Sequence, residues 1–180
     1  MELIKEYIKV NIYIDFIEKE MNIKLTPYQI KIIKNAYERK EENNIFYYEK
    51  AARQNGTTTL LIIKALIQIF MTKDNGNEIV FISRNNTSCK YMKHLFNKYL
   101  KLFNNDSIII LRDNKFNMIL ERDDGEKIYI RFMNNNMDNL RGIGQNNSYY
   151  IDDYIEYRDS HIINYLKMTM PKEVYVFQKT

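Results

Sequence analysis

The fold is decided by residues 45–71, which read IFYYEKAARQNGTTTLLIIKALIQIFM. Ile45 to Tyr48 is a short apolar and aromatic run that predicts a buried strand. Glu49 to Thr59 is a polar loop, and Leu60 to Met71 is apolar enough to predict a core helix that begins near Thr58. Strand, loop and helix in this order predict the first unit of an α/β fold.

The same alternation continues outward from this stretch. Downstream, Asp74 to Asn77 predicts a turn, Ile79 to Ile82 a second buried strand, and Asn86 to Phe103 an amphipathic helix. Upstream, a helix is predicted within 3–20, and Thr26-Pro27 predicts the start of another. The β-α-β-α order predicts a mostly parallel sheet covered by helices on both faces.

The second half of the chain predicts shorter elements. Asp123-Asp124-Gly125 is a hairpin signal between two of them, which predicts an inserted β-hairpin. The predicted strands are 107–111, 116–121, 127–132, 148–151 and 174–177, with a helix at 155–168.

Composition limits the class of protein. With 180 residues, 45% of them hydrophobic, the chain is expected to form a single domain. The net charge of +4 permits phosphate-backbone binding without indicating a nucleic-acid coat protein. A single cysteine, Cys89, excludes an internal disulfide framework. No apolar run approaches the ~20 residues that span a bilayer, so we expect a soluble, intracellular protein without a membrane partner.

The loop before the core helix matches half of a phosphate-binding pattern. Ala51 to Thr58 aligns with G-x-x-x-x-G-K-[ST] at the second glycine, Gly56, and at the hydroxyl, Thr58. Such a loop needs backbone N–H groups at a helix N-terminus, where the helix dipole favours a polyphosphate. Thr57 occupies the lysine position and brings no charge. The alternative is a polar turn that caps a core helix.

A second feature lies where strand 148–151 runs into Asp152-Asp153. Paired acids at such a strand end act in phosphoryl transfer when the first holds the Mg²⁺ shell and the second polarises the attacking water. The alternative is that they cap the following helix, since carboxylates are favoured at a helix N-terminus.

Three segments together resemble the ATPase domain of viral large terminases. Residues 53–59, RQNGTTT, resemble the Arg-Gln-x-Gly-Lys-[Ser/Thr]-Thr phosphate loop of that family. Residues 25–29, LTPYQ, resemble its segment with a tyrosine and a glutamine near the adenine, and 138–142, DNLRG, its Arg-Gly segment before the acidic strand. The resemblance covers 25–180, with 1–24 as a helical extension. It implies one P-loop NTPase-like, three-layer αβα domain over 1–180, without the nuclease domain of full terminases.

The resemblance also implies a site for ATP and Mg²⁺. Asp153 and Arg53 would act in catalysis, and Lys50 would replace the missing lysine, as in terminases that carry it at the beginning of the loop. ATP hydrolysis is therefore expected only if Lys50 takes that role. Asp153 stands where glutamate is usual. Thr58 and Asp152 would hold the metal, and the expected nucleotide-binding residues are Tyr28, Gln29, Arg53, Gln54, Asn55, Gly56, Thr57, Thr58 and Thr59.

The implied partners are those of a packaging motor in a virus-infected cell: double-stranded DNA, the portal or procapsid, a small terminase subunit and further copies in a ring. Lys90, Lys93, Lys98 and Lys101 either follow a DNA backbone or form a solvated helix face. Two alternatives stay open: a catalytically inactive terminase-like module that binds DNA or protein, and a helicase-like ATPase, which would need a second motor domain.

Overall fold

The computed structural model describes residues 11–12, 14–19, 22–35, 45–50, 56–71, 78–103, 107–154 and 161–179. In chain order its elements are α1 (14–19), α2 (Pro27–Asn35), β1 (Ile45–Lys50), α3 (Thr57–Met71), β2 (Ile79–Ser83), α4 (Asn86–Phe103), β3 (Ile108–Asp113), β4 (Asn117–Arg122), β5 (Lys127–Asn134), α5 (Met137–Leu140), β6 (Ser148–Tyr154), α6 (His161–Met168) and β7 (Glu173–Lys179).

The strands form one seven-stranded sheet in the order β1-β7-β6-β2-β5-β4-β3. The five strands from β1 to β5 in this order pair in parallel, whereas β4 pairs antiparallel with both β5 and β3. Parallel neighbours need crossover connections, and the alternation of strand and helix along the chain supplies them. The predicted α/β fold with a mostly parallel sheet is confirmed.

Helices cover the sheet on both faces, and each interface has its own apolar core. On one face α3 and α4 pack over a group of rings in which Phe81 stacks on Phe132 at 4.9 Å and on Tyr150 at 5.3 Å between centroids. On the other face α6 packs Leu166 against Ile82 and neighbouring strand residues. Burying one such side chain stabilises the fold by about 1.5–3 kcal/mol. Both groups of helices are therefore held against the sheet by apolar burial.

The α4 helix is amphipathic, but its buried face differs from the predicted one. The sequence pattern predicts an apolar face of Tyr91, Leu95, Phe96, Tyr99 and Leu102. Leu95 and Phe96 are buried as predicted, but Tyr91 and Leu102 are 57% and 50% exposed. Met92 and Leu100 join Phe96 at the i, i+4, i+8 spacing of one helix face, so the face that meets the sheet is rotated from the predicted one.

The predicted hairpin forms the turn between β4 and β5. Gly125 has a φ of +80°, a conformation that glycine adopts without strain. Arg122 at the end of β4 donates to the carbonyl of Ile69 at 3.1 Å and contacts Glu126. Because Ile69 lies in the last turn of α3, the guanidinium also complements the negative end of that helix.

Two further differences from the sequence predictions concern loops. The segment before β6 contains the short helix α5, which the pattern did not predict. The amide of Asp138 donates to Asn136 Oδ1 at 3.0 Å, so asparagine side chains cap this turn. The predicted turn at 74–77 and the predicted helix start at 155–160 lie outside the described residues, and α6 is described from His161.

Candidate phosphate-binding site

The residues of interest lie where the parallel strands end. At this carboxyl edge β1 ends at Lys50, β7 at Lys179, β6 passes through Asp152, and β2 ends at Ser83. Ligands of open α/β sheets bind in the crevice beyond the carboxyl ends of the strands. The acidic strand end and the beginning of α3 therefore share one edge, as the sequence predicted.

The first turn of α3 follows a glycine with a positive φ. Gly56 precedes the helix with a φ of +66°, and its carbonyl accepts the first helical hydrogen bond, from the amide of Leu60 at 2.9 Å. The next amides, from Thr57 onward, belong to the open end of the helix, where unpaired N–H groups and the dipole favour an anion. Thr57 is buried, whereas Thr58 and Thr59 are partly buried.

The central contact of the site joins α3 to β6. The hydroxyl of Thr58 donates to Oδ2 of Asp152, which lies 94 residues away in the chain. Asp152 is 6% exposed. The two residues predicted as metal ligands thus touch each other, with oxygen atoms of both at the helix N-terminus.

Gln29 approaches the loop from α2. Its side-chain Oε1 accepts from the backbone amide of Thr26 at 2.8 Å. The backbone amide of Gln29 in turn donates to the Thr26 hydroxyl at 3.3 Å, and the two bonds form a capping box. With the oxygen held in this way, Nε2 faces the loop, and a Cβ added at Gly56 would come within 2.5 Å of it. Glycine at position 56 is therefore favoured by its positive φ, and a Cβ there would also make the end of the Gln29 side chain move.

Gln29 is buried and is not an exposed residue of the helix surface. Tyr28 is partly buried and packs against the core beneath α3 and α4. The structure brings the glutamine to the phosphate loop. A contact of either side chain with adenine stays a prediction.

Several predicted residues are placed only through their backbone or not at all. Arg53, Gln54 and Asn55 lie outside the described residues. Lys50 is in register with Lys179 on the neighbouring strand, which places two lysine positions side by side at the edge. Asp153 follows Asp152 where the register between β6 and β7 shifts, and the described side chains do not include those of Lys50 and Asp153.

The basic residues of the segment 138–142 and of α4 differ in exposure and in their partners. Arg141 is exposed and pairs with Asp138 at 3.4 Å, three residues before it. On α4, Lys93 is 9% exposed and is bound by Asp113 and the carbonyl of Asn114, so it is no part of a free basic face. Lys90, Lys98 and Lys101 are exposed, as predicted.

A buried polar network below the site was missed by the sequence reasoning. Gln68 of α3 donates to the hydroxyl of Ser148 at 2.9 Å and accepts from the hydroxyl of Tyr150. One turn earlier, Lys64 lies 4.0 Å from the ring centroid of Tyr175, and burial lowers the pKa of its ammonium to about 8. The available signal was two polar residues four apart in an otherwise apolar helix, a spacing that places them on one face.

Two kinds of feature are absent from the described residues: a cluster of metal ligands and a membrane-spanning helix. No three His, Cys, Asp or Glu side chains among them cluster so as to hold a metal ion by themselves. None of the described helices is both long and apolar enough to cross a bilayer.

Comparison with known proteins is consistent with the site geometry. Residues 50–173 match the family model described as "Terminase large subunit, T4likevirus-type, N-terminal". The fold is similar to the crystal structure of the HK97 bacteriophage large terminase, with a TM-score of 0.63 and 16% sequence identity over 88% of this chain and 33% of that chain. The chain thus spans about a third of that terminase's length. Among curated proteins, no sequence matches. At 16% identity the structural likeness concerns the fold alone.

Proposed function

The chain belongs to the family of T4-like large-terminase N-terminal domains, and from this premise we propose that it is a P-loop NTPase-like ATPase domain of a viral DNA-packaging motor. It binds ATP with Mg²⁺ and drives or supports the movement of DNA into a capsid. The observation that carries the proposal is the contact of Thr58 with Asp152 at the N-terminus of α3.

The side chains at this contact fit a nucleotide-bound Mg²⁺. The ion prefers oxygen ligands and is usually held by one or two protein groups together with phosphate oxygens and waters. The hydroxyl of Thr58 and the carboxylate of Asp152 would supply those groups, so no larger cluster of ligands is needed. When bound, the ion would neutralise charge on the phosphates.

The protein's own groups have separate tasks in this proposal. The amides of the first turn of α3 bind phosphate oxygens, and Gln29 keeps the loop close to α2. Asp153 orients and polarises the attacking water, and Arg53 stabilises the charge that develops on the transferred phosphoryl group. Tyr28 contacts the base, and Gln54, Asn55, Thr57 and Thr59 complete the loop around the phosphates.

The charge that Thr57 lacks comes from Lys50 at the end of β1. Its partner in register on the neighbouring strand is Lys179, so the sheet register places two basic residues at the same edge. Positive charge at this edge would favour a polyphosphate.

The partners follow from the family rather than from a surface of this chain. The domain works in a ring of identical subunits at the portal of a procapsid in the infected cell, on double-stranded DNA, with a small terminase subunit as a further partner. Exposed Lys90, Lys98 and Lys101 on α4 are the basic residues offered to the DNA backbone.

The test is a titration with a fluorescent ATP analogue in Mg²⁺, followed by phosphate release with and without duplex DNA. We expect Asp152→Ala to abolish turnover and Lys50→Ala to weaken nucleotide binding at least about tenfold, the scale of a charged phosphate contact. Lys179→Ala should have a smaller effect. Asp123→Ala and Lys167→Ala, exposed and remote from the site, are the matched controls.

The opposite outcome points to the alternative function. If the wild-type chain binds no nucleotide at millimolar concentration, the ATPase proposal is wrong. The chain would then be a terminase-like module that binds DNA or protein without hydrolysis, and Thr57 would mark the loss of activity.

A further inference from the structure

The helix α3 and the strand β6 run alongside each other and are joined by polar contacts at two levels. At the carboxyl edge Thr58 contacts Asp152, and farther down Gln68 contacts Ser148 and Tyr150. Ten helical residues separate the two levels on α3, about 15 Å at 1.5 Å per residue. On β6, Ser148 lies four residues before Asp152, about 13 Å at 3.3 Å per residue. The spacings nearly agree, so both contacts form together only at one axial position of the helix.

Apolar packing does not fix that position by itself. Between the two levels, the side chains of α3 are aliphatic apart from Thr59 and Lys64, and most are fully buried. The hydrophobic effect is non-directional, and aliphatic cores tolerate repacking. A hydrogen bond of a buried amide is directional, and leaving such a group without a partner is costly.

The tyrosine of the lower contact is itself held in place. The ring of Tyr150 stacks on Phe81 at 5.3 Å and on Tyr175 at 5.2 Å, so its hydroxyl has a fixed direction. Gln68 is 7% exposed and lies in this packed layer. A shift of α3 by one turn, about 5.4 Å, would take Gln68 away from both partners and Thr58 away from Asp152.

We infer that Gln68 and Tyr150 are positioning residues, which set α3 lengthwise on β6 and thereby bring Thr58 to Asp152. The inference rests on the proposed function, because Thr58 and Asp152 matter to the reaction only if the site binds ATP with Mg²⁺. Gln68 and Tyr150 act through the helix and touch no substrate.

The experiment compares the double variant Gln68→Met/Tyr150→Phe with wild type. The two substitutions remove both partners of the Tyr150–Gln68 bond, and the buried hydroxyl of Ser148 loses only its bond from Gln68, so the loss of stability should be small and the Tm shows whether a change in rate is a folding defect. We expect a Tm within a few degrees of wild type, a kcat about tenfold lower, and a several-fold higher Mg²⁺ concentration for half-maximal activity.

Tyr149→Phe is the matched control. Tyr149 is the preceding residue of β6, equally buried, but it belongs to the core on the opposite face and accepts from Asn147 at 3.3 Å. It should leave kcat and the Mg²⁺ requirement unchanged. If the double variant keeps the wild-type kcat and Mg²⁺ requirement, or if Tyr149→Phe lowers kcat as much, the positioning role is wrong.

A second readout does not depend on activity. Amide hydrogen exchange over residues 60–63, whose amides bond within the first turns of α3, should be faster in the double variant than in wild type and in Tyr149→Phe, because the N-terminal part of the helix loses its fixed place. An inactive wild-type chain with this exchange pattern would overturn the ATPase proposal and keep the positioning role. Unchanged exchange in the double variant would overturn the positioning role alone.

Discussion

The two contacts between α3 and β6 differ in chemistry although they join the same elements. The upper contact pairs a hydroxyl with a carboxylate at the open end of the helix, where the dipole and free amides accept further negative charge. The lower contact is a neutral network of Gln68, Ser148 and Tyr150 inside the core. The upper contact is therefore suited to bind and react, whereas the lower one holds its partners in place. Changes at the upper contact should lower the rate directly, whereas changes at the lower contact should act on stability and, through the position of α3, on the rate.

The largest effect is expected from Asp152→Asn. Asparagine keeps an oxygen that accepts from Thr58, so folding should be little affected, but the negative charge that would hold Mg²⁺ is gone. Turnover should fall by at least about 100-fold, or roughly 2.7 kcal/mol in the activation free energy. Steady-state phosphate release measures this, and a Tm close to wild type excludes unfolding. Normal turnover would mean that Asp152 holds no metal.

Thr58→Val should have the next largest effect. Valine matches threonine in shape and lacks only the hydroxyl, so kcat should fall about tenfold and the Mg²⁺ requirement should rise. Titration with Mg²⁺ at saturating ATP is the measurement. Thr58→Ser, which keeps the hydroxyl and lacks only the methyl group, is the control and should retain most of the activity. Equal losses in both variants would argue that the helix start, and not the hydroxyl of Thr58, is affected.

The lower contact should show its effect in stability. Tyr150→Phe removes the donor to Gln68 and should lower the free energy of unfolding by about 1–2 kcal/mol. Tyr149→Phe removes a hydroxyl that accepts from Asn147 at 3.3 Å and also bonds with Thr169, and we expect a loss of similar size. Urea denaturation of both variants gives the comparison. A larger loss in Tyr149→Phe would show that the face with α5 and α6 carries the more important polar contact.

Lys64 should make stability depend on pH. Burial lowers the pKa of its ammonium from 10.5 to about 8, with Glu173 opposing that shift. Between pH 8 and 10.5 the unfolded chain therefore holds a proton that the folded chain has lost, and the free energy of unfolding rises with pH. We expect a rise of about 2 kcal/mol from pH 7.5 to 9.5 in urea denaturation. Lys64→Met should abolish it; a rise that persists in this variant would assign it to other groups.

The smallest effect is expected far from both contacts, at the edge strand β3. Ile109, Ile110 and Leu111 are each more than 40% exposed there. Ile110→Lys should change the free energy of unfolding by less than about 0.5 kcal/mol and leave turnover unchanged. A large loss of stability would show that this edge is covered in the protein in solution.

Local signals predicted much of the fold. The apolar runs of β1, β2 and β6, the Thr26-Pro27 start of α2 and the hairpin at Gly125 all appear as expected, because each depends on neighbours within a few residues. The exposed face of α4 was misjudged, since helical spacing alone does not tell which of two adjacent stripes meets the sheet. The short helix α5 was missed because asparagine side chains, and not apolar periodicity, define it.

The sequence by itself determined the chemical groups of the site: a glycine, a row of threonines, two adjacent acids and a lysine before the loop. It also determined the family, through the order of those motifs. Only the tertiary structure decided that Gln29 lies against Gly56, that Lys50 is in register with Lys179, and that α3 meets β6 at two levels. The contacts between α3 and β6 join residues that lie 80 to 94 apart in the chain. Their pairing depends on strand order and axial position, which are set when the sheet and helices pack and which no local pattern encodes.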